Sequence, residues 1–105
     1  DIVSDLCAGL VGGLGFAPSG NIGDEYRIYE AVHGSAPDIA GQNIANPSAL
    51  LLAFALMLED LGKIEAANAL RMALSKVVGK QETVTPDIGG HASTTEFVDA
   101  IIKEL

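Results

Sequence analysis

The stretch His33-Gly34-Ser35-Ala36-Pro37-Asp38-Ile39-Ala40-Gly41, followed at once by Asn43-Ile44-Ala45-Asn46-Pro47, decides how this chain is read. It has the make-up of a nucleotide-binding loop. Small residues let backbone N–H groups approach a ligand, Pro37 stiffens the turn, and the Asp38 carboxylate offers two acceptors to a pair of vicinal hydroxyls. Just before it, Tyr26 to Val32 alternates as a strand that delivers the loop. Just after it, Asn46-Pro47 opens a helix, because asparagine caps orphan N–H groups and proline suits the first helical position. That helix is expected to reach about Leu61 and stop at Gly62.

A second helix, Ile64 to about Val78, carries Ala67, Leu70, Leu74 and Val77 at helical spacing and is expected to close at Gly79. Ser93 with Glu96 matches a capping box, which predicts a last helix of about ten residues whose inner face holds Phe97, Ala100 and Ile101. Upstream of the loop, Asp1 to about Val11 reads as a helix ended by Gly12-Gly13, with a loop and a short strand before Tyr26. Asp1 and Asp5, four apart, share one face of that helix. A carboxylate pair on an otherwise apolar, glycine-rich helix suits a hard cation such as Mg²⁺ or Mn²⁺, with further ligands from substrate and water.

Composition bounds the possibilities. The 105 residues make at most one domain, and since Asp1 falls inside a helical pattern with no cap before it, the chain reads as part of something longer. Fourteen acidic against six basic residues give a net charge of -8, which disfavours nucleic acid as a partner, and the bases form no patch. The longest apolar run, Ala49 to Leu58, is ten residues, half of what a bilayer span needs, so it is expected to be a buried helix and no membrane partner is expected. The single Cys7, among Leu6, Ala8 and Leu10, is expected to be a buried thiol.

The run Gly9 to Gly15 does not fit a Gly-x-Gly-x-x-Gly register and follows a helix, so a Rossmann fingerprint is rejected. His33, at a strand end beside glycine, is read as a loop former or an adenine-stacking surface, and His91 stays unassigned.

The pieces Asp1-Ile2-Val3-Ser4-Asp5, Gly12-Gly13-Leu14-Gly15, Glu30 through Gly41, Ile44-Ala45-Asn46-Pro47 and Asp87-Ile88-Gly89-Gly90 before Thr95-Glu96-Phe97 together resemble the C-terminal third of a β-decarboxylating dehydrogenase. That family holds the isocitrate, homoisocitrate and 3-isopropylmalate dehydrogenases. The resemblance implies an α/β fold in which residues 1–105 form the C-terminal portion of the large, NAD-binding domain, helices flanking an incomplete twisted sheet. It implies that Asp1 and Asp5 bind Mg²⁺ or Mn²⁺ beside the substrate hydroxyl and carboxylate. It further implies that Glu30 lies near the nicotinamide and that His33, Gly34, Ser35, Ala36, Pro37, Asp38, Ile39 and Asn46 hold the adenosine, Asn46 at the adenine edge.

NADP-specific relatives carry lysine and tyrosine where this chain has Asp38 and Ile39, and a carboxylate would repel a 2′-phosphate, so NAD is the expected cofactor. Leu6, where isopropylmalate enzymes tend to carry glutamate, tilts the expected hydroxy acid substrate to isocitrate, with homoisocitrate and 3-isopropylmalate behind. No catalytic acid or base is expected within the chain, because the family's lie upstream of Asp1. A homodimer or higher homo-oligomer, in the cytoplasm or the matrix of a mitochondrion, is implied as well. Two other readings are a regulatory, nucleotide-binding subunit of the same family and, weakest, a structural helical module.

Overall fold

The computed structural model describes residues 2–10 and 12–105. In chain order it holds α1 (Ile2–Leu10), a single 3-10 turn (Leu14–Phe16), β1 (Pro18–Ile22), β2 (Arg27–Ala31), α2 (Ser48–Asp60), α3 (Ile64–Lys80), a second 3-10 turn (Pro86–Ile88) and α4 (Thr94–Glu104). β1 and β2 pair antiparallel in the register Pro18 to Ala31 through Ile22 to Arg27, and their hairpin is closed by Gly23 N–H donating to Tyr26 O at 2.9 Å. The ribbon lies on α2, α2 on α3, and α3 on α4. No helix among the described residues is long and apolar enough to cross a membrane.

The core forms where small and large apolar residues meet across these helices. From α2 comes Ala55, from α3 Ala67, Leu70, Ala73, Leu74 and Val77, from α4 Phe97 and Ile101, and from the segment between them Val84. Alanines on α2 and α3 bring the helix backbones close, and Phe97, fully buried, fills the space that remains. Burying such a ring contributes about 2 to 3 kcal/mol. The four positions predicted to face inward on α3 are all buried, as are Phe97 and Ile101 on α4. Ala100 is partly buried against them.

The Ala49 to Leu58 run departs from its reading as a wholly buried helix. Ala49, Ala53 and Ala55 are buried, while Leu50 and Phe54 point outward at 59% and 46% exposure. Cys7 departs too, for it is exposed. Only Ala8 of α1 is buried, because α1 touches the body through the turn at Leu14–Phe16 and leaves Leu6 and Leu10 outward.

α3 also runs past Gly79, its expected end, to Lys80. Gln81 takes the left-handed position instead, φ 56°, and its side-chain amide donates to Val78 O at 2.6 Å, satisfying one of the carbonyls the helix end leaves open. Lys80 Nζ donates to Glu104 Oε1 at 2.6 Å, which ties that last turn to α4.

Candidate functional site

The expected loop leaves the end of β2 and wraps one side of a cavity of about 930 Å³. His33, Gly34, Ser35, Ala36, Ile39 and Asn46 line it, six of the residues the sequence singled out. Ala36 sits at φ 43° and Asn43 at φ 57°, a left-handed backbone that residues other than glycine seldom adopt, so the loop curves where a relaxed chain would not. Turns close it from within, with Ile39 N donating to Ala36 O at 3.1 Å and Gln42 Nε2 to Asp38 O at 2.9 Å. Pro37 and Asp38 are exposed and stand outside the lining residues. The Asp38 carboxylate makes no hydrogen bond or ion pair among the described residues, so both of its oxygens remain open to a ligand's hydroxyls.

A second cavity, about 730 Å³, lies on the other side of His33. Asp5 and Cys7 of α1, Ser19 and Asn21 of β1, and Glu30 of β2 face it. Glu30 Oε1 accepts from Asn21 Nδ2 at 3.1 Å across the ribbon, in the row next to the Ser19 to Glu30 pair. The structure therefore brings Asp5, Glu30 and His33 to one hollow, and His33 is common to both. Its Nδ1 lies 2.9 Å from Gly34 O, within hydrogen-bond distance when that nitrogen carries the proton. Asp1 lies outside the described residues, and among those described no three His, Cys, Asp or Glu side chains are grouped to hold a metal ion. Among the described residues Asp5 and Glu30 are the two carboxylates that face this hollow.

β2 is anchored at its far end. Arg27 and Tyr29 both donate to the Asp60 carboxylate at the end of α2, the tyrosine hydroxyl at 2.5 Å. These bonds hold Asp60 below the usual carboxylate range, through the Arg27 guanidinium first and the Tyr29 hydroxyl second. The same contact raises Arg27 and Tyr29.

The floor of the larger cavity contains residues for which sequence reading gave no role. Gly15, Pro86, Asp87 and Thr94 line it. The helix starts one residue later than expected, with Pro47 rather than Asn46 at the cap position, yet Asn46 Oδ1 still accepts from Ser48 N at 2.9 Å, and its Nδ2 donates to Asp87 Oδ2 at 2.9 Å. Thr94 Oγ1 donates to Ala45 O at 2.6 Å, and Thr94 N to Asn43 O at 2.8 Å, fastening the start of α4 to the same wall. The signal that could have exposed Asp87 is its place in a Thr-Pro-Asp turn ahead of two glycines.

The chain matches known proteins over nearly its whole length. The family description "Isocitrate/isopropylmalate dehydrogenase" matches residues 1–101, and the chain belongs to that family. It is 55% identical over 105 residues to an isocitrate/homoisocitrate dehydrogenase of Thermus thermophilus, covering 100% of this chain and 31% of that protein. It is 50% identical over 106 residues to a mitochondrial regulatory subunit of isocitrate dehydrogenase [NAD] from Dictyostelium discoideum, covering 100% of this chain and 30% of that one. Among solved structures, isocitrate dehydrogenase from Methylococcus capsulatus superposes with a TM-score of 0.94 at 45% identity, over 98% of this chain and 31% of the other. The chain thus spans about 31% of the length of such relatives, and its α/β architecture is that of the family.

Proposed function

We propose that the protein carrying this chain oxidises and decarboxylates a 2-hydroxy acid, isocitrate before homoisocitrate or 3-isopropylmalate, with transfer of hydride to NAD. In this reading residues 1–105 are the C-terminal portion of the large, NAD-binding domain, and the active assembly is a homodimer or larger. The observation that carries it is the meeting of the two cavities at His33, one lined by the adenosine loop and the other by Asp5 and Glu30. A dinucleotide is a two-part ligand, and two hollows of about 930 and 730 Å³ that share His33 suit its two halves.

The larger hollow would take adenosine, with the imidazole of His33 beside the base and the open Asp38 carboxylate accepting from both ribose hydroxyls. That carboxylate repels a 2′-phosphate, which favours NAD over NADP. Glu30, held by Asn21, would stand at the nicotinamide side. Asp5, with Asp1, would hold Mg²⁺ or Mn²⁺, and the remaining ligands would come from substrate and from residues beyond those described. A divalent ion so held polarises the hydroxyl and the ketone that follows it, which is what loss of CO₂ requires.

The decisive experiment replaces Asp38 by Lys together with Ile39 by Tyr in the active protein. The ratio of kcat/KM for NAD to that for NADP should fall at least about tenfold, since one charge reversal beside a phosphate is worth more than about 1.4 kcal/mol when water is partly excluded. An unchanged ratio would refute the assignment.

The likeness to a protein named as a regulatory subunit favours a second reading, a nucleotide-binding partner without turnover of its own. The same protein assayed alone separates the two, for a regulatory copy binds NAD or ADP and oxidises nothing.

A further inference from the structure

We propose that Asn21 is a positioning residue that aims the Glu30 carboxylate into the smaller hollow, toward the nicotinamide end of the dinucleotide. The inference rests on the reading of that hollow as the nicotinamide side.

Its ground is the register of the ribbon. Ser19 stands opposite Glu30 and Asn21 opposite Ile28, so Asn21 and Glu30 are diagonal neighbours on one face, within reach of each other's side chains. That face carries Ser19, Asn21 and Glu30, all of which line the hollow. Arg27 and Tyr29, at the alternate positions of β2, are bonded to Asp60 of α2. The ribbon is gripped from behind, which settles the face that turns toward the hollow.

The bond between the two side chains can run only one way. An ionised carboxylate accepts and does not donate, so the contact of 3.1 Å runs from Asn21 Nδ2 to Glu30 Oε1. Among the described residues it is the one hydrogen bond the Glu30 side chain makes, and no lysine or arginine lines the hollow to compete for that carboxylate. Glu30 is exposed, and an exposed glutamate without a partner spreads over several staggered conformers. Giving one oxygen to Asn21 fixes the direction of the other, and Oε2 keeps its lone pairs for a ligand. Oxidised nicotinamide is a cation with a donating carboxamide, so its binding gains from a carboxylate already turned toward it.

A cross-strand pair can also do no more than stabilise its own hairpin. To separate the two roles, the full protein is titrated calorimetrically with NAD and with ADP-ribose, which keeps the adenosine and diphosphate and lacks the nicotinamide. The preference for NAD is read as the Kd for ADP-ribose divided by the Kd for NAD, and Glu30→Ala should lower it. Asn21→Ala should lower the same ratio about fivefold, the worth of one exposed hydrogen bond, and Asn21→Asp, equal in shape but unable to donate, at least as far. Asn21→Ala added to Glu30→Ala should lower it no further, because a residue that acts through Glu30 then has nothing left to aim.

A hairpin staple would weaken both ligands alike and leave the ratio unchanged in the Asn21 variants. That result overturns the inference while the reading of Glu30 stands, and so does full additivity of the two losses, which would mean that Asn21 acts on its own. If Glu30→Ala itself leaves the ratio unchanged, the nicotinamide reading of the hollow falls and this inference with it.

Discussion

The two halves of the molecule solve the burial problem differently. From Ser48 onward, α2, α3 and α4 cover each other, and Phe97 and Ile101 are 0% and 2% exposed. In the first 31 residues, Ile2, Val3, Leu6, Leu10, Ile22 and Ile28 all face outward. The C-terminal half is thus a scaffold whose stability is internal, while α1 and the ribbon are held by their contacts with the turn at Leu14–Phe16 and with α2. The proposed site lies along the boundary: the adenosine loop is fastened to the scaffold through Asn46 and Thr94, whereas Asp5 and Glu30 ride on the less supported half. Rigid parts would hold the common portion of the ligand, and less tightly held parts its reactive end.

The contrast breaks most sharply on a pair of truncations. Phe97→Ala should cost about 4 kcal/mol, a large-to-small change in a filled core, whereas Leu6→Ala, at a position 67% exposed, should fall within about 0.5 kcal/mol. Denaturant unfolding of these 105 residues measures both, and comparable losses would show the two halves to be equally self-contained.

Next in size is Gly90→Ala. A Cβ at Gly90 would lie 1.9 Å from Val84 O, backbone against backbone, in the segment that carries Asp87. A loss of about 3 kcal/mol is expected, seen as a fall in Tm of about 10 °C or more. A neutral outcome would mean that the 84–92 segment is as loosely held as α1.

Ser93→Ala should cost about 1 kcal/mol, because Ser93 Oγ accepts from Glu96 N at 3.1 Å while Glu96 Oε2 accepts from Ser93 N at 2.8 Å. The backbone N–H and then the hydroxyl of Ser93 hold Glu96 below its ordinary value, so its contribution is full above that value, 4.5, and is lost as pH falls through the lowered one. Melting curves of Glu96→Gln and wild type should therefore differ above that value of 4.5 and converge in acid, while the Ser93→Ala difference persists at low pH, because the bond it removes involves no titrating group.

A slighter change is expected at the joint between the halves. Asp60 is lowered by Arg27 and Tyr29, so Asp60→Asn should destabilise slightly at pH 7, and the difference should vanish as pH drops below 3.8 and through the depressed value of the wild type. A difference that persists unchanged in acid would show that the joint does not act through charge.

Much of this was readable beforehand. Asn46-Pro47 and Ser93-x-x-Glu96 announced two helix starts because a cap satisfies N–H groups by chemistry local to a few residues. The period of Ala67, Leu70, Leu74 and Val77 announced a buried face for the same local reason. Gly79 misled, since a glycine is permitted but not obliged to end a helix. The end was set by Gln81 and by the Lys80 contact with Glu104, 24 residues away. Cys7 misled because apolar neighbours in sequence were taken for apolar neighbours in space.

Short-range chemistry along the chain was enough to mark which segments become helix and strand, where the loop of small residues falls, and the family they belong to, all of which depend on neighbours within a turn or two. Folding in three dimensions was needed to bring Asp5, Glu30 and His33 to one hollow, and to let Asp87 lock Asn46 from 41 residues away. Hydrogen bonds and burial act over a few ångströms of space, and no local pattern records which distant side chains will come within that range.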